Sequence, residues 1–116
     1  MEQEYIKGDI VMYDNKIHTI MDSLGVNNYE LSYVEHPVYQ LELSGVPLTP
    51  EILEKNGWEH KYDIYFKEFP HRILAIMDEN AYIINECCSI FLCPAKFVPQ
   101  LQHLLFGLGL NSEMEV

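Results

Sequence analysis

A chain of 116 residues that is 48% hydrophobic, with eight Tyr, five Phe and one Trp, has the material for one ordinary domain with its own core, which excludes a largely disordered chain and needs no covalent staples. Its 18 Asp and Glu against 7 Lys and Arg leave a formal charge of −11. That balance opposes direct nucleic-acid binding, which rests on basic residues displacing counterions, and opposes anionic lipid surfaces, while favouring a basic partner.

The start, "MEQEYIKGDIV", lacks a basic region followed by a long apolar core, so it does not read as a secretory signal. The strongly apolar stretches are short and broken by charge, Pro or Gly, so no membrane span is expected. Cys87, Cys88 and Cys93 are odd in number and sit in an apolar run. Together these features describe a reduced, cytoplasmic protein.

In chain order, residues 5–45 are strand-rich. "DIVMYDNKIHTIM" places two β-prone runs around Asp14-Asn15, a pair that tolerates left-handed backbone and marks a tight hairpin. "NNYELSYV" puts Tyr29, Leu31 and Tyr33 on one side, and "VYQLELSG" does the same with Tyr39, Leu41 and Leu43. "GVPLTPEILEKNGWEH" then reads as a closed helix over 50–56. Thr49 is its N-cap, Pro50 its first residue and Glu51 an acid in the first turn; Gly57 is the left-handed stop and Trp58 the residue that folds back. So short a helix is not stable alone and must be pinned by Leu48, Ile52, Leu53 and Trp58 against a sheet.

Strands resume over 61–93 as "KYDIYFKEF", "HRILAIM", a polar "DEN" turn at 78–80 and "AYIINECCSIFL", the last read as one continuous run. After Pro94, the spacing of Leu101, Leu104, Leu105 and Leu108 predicts a helix over 97–108, and "SEMEV" alternates as a short terminal strand over 113–116. The fold class is therefore α+β in a single domain, 1–116. It is a small, mainly antiparallel sheet or SH3-like barrel with one short central helix and one longer C-terminal helix.

No glycine-rich phosphate loop and no G-x-S-x-G elbow occurs. In a strand, Cys87 and Cys93 would share one face and Cys88 the other, a poor tetrahedral set, so no metal site is expected. The five His are far apart without a ligand motif, and a cysteine–histidine catalytic pair has only its residue types in its favour. No catalytic residue and no cofactor is assigned. One side chain stands apart: at 100° per residue, Phe106 lies about 150° from the centre of the leucine stripe, on the back of the helix with His103. Either the tail or another strand covers it, or a partner does; His103 and Phe106 are the candidate interface.

"PLTPEILEKNGW" and "KFVPQLQHLLFGLGL" are similar to motifs of a group of short proteins carried by gut anaerobic bacteria and by their phages and mobile elements. In that group a strand-rich part precedes an "LTPEILEKNGF"-like helix, and a "VHQLQ"-like helix and short strand close the chain. Trp58 stands where the group has Phe, and Pro99 where it often has His. The resemblance implies an accessory protein of phage-borne origin and brings no functional residue with it. The function expected is thus non-enzymatic: binding to a host protein, with an anti-defence role as one form, or to a second copy in a homo-oligomer. The alternatives are sequestration of a small molecule such as a signalling nucleotide, which would require the scattered basic residues to converge, and an enzyme, which would require a deep pocket of His and carboxylates.

Overall fold

Asp14 and Asn15 turn as their residue types demand. In the computed structural model, which describes residues 5–25, 27–85 and 88–116, both take left-handed backbone, with φ of 51° and 60°. They close a two-residue loop between β1 (Ile10–Tyr13) and β2 (Lys16–Ser23), with Tyr13 opposite Lys16. The twist of such a turn matches that of the strands it joins. With β3 (Asn28–Leu31), β4 (Val38–Tyr39) and β5 (Ser44–Gly45), these strands form a five-stranded sheet in the order β4-β3-β2-β1-β5, every pair antiparallel. The sheet belongs to the first of two units into which the chain divides, Met1–Val46 and Pro47–Val116.

The first unit is built on Val11, Ile20, Tyr29, Leu31 and Val38, joined by Tyr5. Here the apolar alternation expected over 38–45 gives way. Val38 and Gln40 go inside, whereas Tyr39 and Leu41 are exposed and only Leu43 packs against the core. The cause is hydrogen bonding, chiefly to Asn27 and Tyr29. Gln40 Oε1 accepts from the Tyr29 hydroxyl at 2.8 Å, the Gln40 amide donates to Asn27 O, and Glu42 Oε2 accepts from the Tyr39 amide at 3.0 Å. These bonds bend residues 40–42 into a 3-10 turn between β4 and β5. Tyr33, expected beside Tyr29 and Leu31, is instead fully exposed, with φ of 61° just past the end of β3.

The second unit opens with α1 (Pro50–Lys55), one residue shorter than the 50–56 expected. Thr49 Oγ1 accepts from the Ile52 amide. At the other end Gly57 takes φ of +85°, its amide donates to Glu54 O, and the Trp58 amide donates to Leu53 O at 3.0 Å. That pair of bonds is the Schellman stop, and it swings Trp58 back into the core beside Leu53; the two are 4% and 3% exposed.

A five-stranded meander follows: β6 (Glu59–Lys61), β7 (Ile64–Phe69), β8 (Arg72–Met77), β9 (Asn80–Ile84) and β10 (Ser89–Pro94), antiparallel and in the order β10-β9-β8-β7-β6. Tyr62-Asp63 and Asp78-Glu79 make left-handed two-residue turns, while Pro70-His71 turns with φ of 71° at His71. The stretch read as one strand over 81–92 is in fact a hairpin. Asn85 breaks it, its amide donating to Cys88 O and its Oδ1 accepting from the Cys88 amide, each at 3.0 Å. Cys88 therefore precedes β10 in a turn rather than alternating within a strand, and Cys87 lies outside the described residues.

α2 (Val98–Gly107) ends as α1 does, with Gly109 at φ of 73° and the Leu110 amide on Leu105 O at 2.8 Å. Leu101 and Leu105 are buried against Leu74, Ile76 and Ala81, and Leu104 and Leu108 pack at the margin. No strand forms at 113–116. The Asn56 side-chain amide takes the place of a strand partner: its Nδ2 donates to Glu115 O at 2.8 Å and its Oδ1 accepts from the Glu115 amide at 2.9 Å. One side chain satisfies one residue, so the segment is tied down without becoming a ladder. The architecture is α+β, with antiparallel sheets and, among the described residues, two α-helices.

Candidate interaction surface

Side chains alternate across the second sheet, so its two faces can be followed through the register. One carries Tyr65, Leu74, Ile76, Ala81 and Ile83 into the core shared with Leu53, Trp58, Leu101 and Leu105. The other is apolar too. Phe66 stands opposite Ala75, Ala75 opposite Tyr82 and Tyr82 opposite Phe91, which makes a single row across four strands. Tyr82 and Phe91 meet edge to face, their ring centroids 5.8 Å apart. Ile64, Ile73 and Ile84 flank the row, and with Lys61, Tyr62, Phe66 and Ala75 they line a shallow depression. Phe91, at the end of the row, is 54% exposed.

The two candidate interface residues read from the sequence, His103 and Phe106, lie on α2. Phe106 is 66% exposed, so neither the tail, held instead at Asn56, nor a strand covers it. His103 is half-buried and lines a groove between α2 and β10 together with Cys93, Pro94, Gln100, Leu104, Gly107 and Leu108. The groove is thus mostly hydrocarbon with a thiol, an imidazole and an amide on its walls. The Gln100 carbonyl oxygen is turned back to cap the helix, accepting from the Lys96 and Phe97 amides at 2.8 and 3.0 Å.

The fold does bring a cysteine and a histidine to one groove, but the thiol is not activated. Burial pushes the Cys93 thiol above its ordinary pKa, the opposite of what a nucleophilic cysteine needs. Exposed Cys88 is accordingly expected to be alkylated by iodoacetamide well before Cys93 at neutral pH, the gap narrowing as pH rises and Cys93 ionises. Peptide mapping by mass spectrometry checks this, and equal rates would contradict it. Among the described residues, no three His, Cys, Asp or Glu are grouped so as to hold a metal ion. Four of the seven Lys and Arg are occupied separately: Lys55 Nζ donates to Val116 O, Lys67 Nζ donates to Asn56 O, and Lys61 and Lys96 lie over the rings of Tyr62 and Phe97.

The outer row of the second sheet escaped the sequence reading, although it left a signal. "RILAIM" and "AYII" are apolar at both odd and even positions, the mark of strands apolar on both faces. Among the described residues, no helix is long and apolar enough to cross a membrane. No family model matches the chain, and no curated protein and no solved structure matches it.

Proposed function

We propose that the protein is a non-enzymatic accessory factor that binds a host protein whose basic surface ordinarily takes nucleic acid, with the back of α2 as its apolar anchor. The observation that carries this reading is Phe106, 66% exposed beside an apolar groove on a chain of charge −11. Burying that ring contributes about 1.5–3 kcal/mol, while the acidic surface steers a basic partner and discourages others. The resemblance of the two helical motifs to proteins of phages and mobile elements adds the context of an anti-defence role in the cytoplasm of a bacterial host.

Phe106→Glu tests it. The ring is largely in solvent, so the variant is expected to keep its fold, seen as unchanged Trp58 emission, and to lose the partner that the parent protein captures saturably from host lysate. Capture by the parent should weaken as salt rises. Capture unaffected by Phe106→Glu, or no saturable partner at all, overturns the reading.

A further inference from the structure

The two edges of the second sheet differ sharply. β6 is three residues long and presents exposed Glu59, His60 and Lys61, the short, charged kind of edge that resists pairing with another chain. β10, at the opposite edge, runs Ser89–Pro94 and exposes Ser89, Ile90 and Phe91, the last two 49% and 54% exposed. From Cys88 to Ala95 the chain has no Asp, Glu, Lys, Arg or His. We propose that β10 is a homodimerisation edge, pairing antiparallel with β10 of a second copy about a two-fold axis through Ile90.

The backbone sets the register. Asn85 donates to Cys88 O, which makes these two a closely spaced pair. Alternation along the ladder then gives the next such pair to Ile83 and Ile90. Ile90 therefore spends its N–H and C=O on β9, and Ser89 and Phe91, one on either side, turn theirs to the open edge. A two-fold axis through Ile90 sets Ser89 of one protomer against the partner's Phe91, and Phe91 against the partner's Ser89. Both outward residues are satisfied in both copies, and a small side chain faces a large one. The two Ile90 side chains meet in the non-hydrogen-bonded pair, where strands bring side chains closest.

Charge selects the occupant. Most of a −11 surface repels a second copy, whereas this edge has no charge to repel and none to attract a basic protein. The pairing is isologous, so it closes at two copies instead of propagating into a fibre. It also continues the Phe66, Ala75, Tyr82, Phe91 row towards its counterpart in the partner. This edge is separate from the back of α2, and the inference stands apart from the function proposed above.

Sedimentation over a dilution series is expected to show a reversible dimer. Ile90→Lys and Phe91→Lys should each sediment as monomer with unchanged Trp58 emission, and Phe106→Glu should remain dimeric. Ile90→Cys, in a background with Cys87, Cys88 and Cys93 replaced by Ser, tests the register without adding charge. Directly opposed residues of a non-hydrogen-bonded pair have Cα atoms about 4.5 Å apart, within disulfide reach, so mild oxidation should yield a covalent dimer in high yield. A monomer at every concentration overturns the proposal, as does a dimer that survives both lysine variants. A dimer that never cross-links through position 90 overturns the register.

Discussion

Trp58→Ala is expected to destabilise the second unit by about 3–5 kcal/mol. The indole is 4% exposed and packs among Leu53, Leu74, Ala81 and Leu101, with Phe69 edge to face at 6.4 Å between centroids. Its neighbours come from both helices and from β7, β8 and β9, so no single element can move in to fill the void. The loss is a large fraction of a small protein's total stability, usually about 5–15 kcal/mol. Urea unfolding followed by circular dichroism, which does not depend on the chain's one Trp, gives the number. An unchanged midpoint would show that Trp58 is not the keystone of this core. Trp58→Phe should recover most of the loss, because Phe keeps the apolar contacts and the Trp58 amide still closes the helix.

Tyr29→Ala should have a similar effect on the first unit, on the order of 3–5 kcal/mol by analogy with other buried aromatics. Tyr29 is fully buried at the centre of its cluster, edge to face with Tyr5 at 5.8 Å. Its hydroxyl is the donor to Gln40 Oε1, so the side chain joins the core to the turn that ends β4. Tyr29→Phe separates the two contributions. It keeps the ring but takes a donor from the Gln40 side-chain amide and an acceptor from the Tyr5 backbone N–H, a cost of about 1–3 kcal/mol for a buried group left unsatisfied. Hydrogen exchange at the amides of β2 and β3 locates the effect: both variants should speed exchange there, Tyr29→Ala much the more. If Tyr29→Phe matched Tyr29→Ala, the hydroxyl rather than the ring would hold the unit together.

What the sequence made legible were features with a strong local cause. The Thr49-Pro50 start and Gly57-Trp58 stop of α1, the Asp14-Asn15 hairpin and the leucine stripe of α2 each depend on a few neighbouring residues, and each forms as its chemistry requires. The readings that failed depended on partners far along the chain. Gln40 is buried because Tyr29 awaits it, and the 113–116 segment is held by Asn56, neither of which periodicity can register. The break at Asn85 was legible in principle, since Asn favours turns, but the apolar residues on either side masked it. Helical spacing was enough to place Phe106 on the exposed back of α2. The outer row of the second sheet needed the register, because residues from four strands become neighbours only once the strands are paired.

The meander has a consequence for how quickly the second unit assembles. Each of β6 to β10 pairs with the strand next to it in the chain, so most loops that must close are only a few residues long, and short closures lower the entropic barrier that slows most β proteins. The hairpins can zip one after another, each presenting a template for the next. The tie between Asn56 and Glu115, which lie 59 residues apart, belongs to the other extreme. It links ends that meet only after the strands have collapsed, so it forms late and acts chiefly as a brake on unfolding rather than as a guide to the native topology.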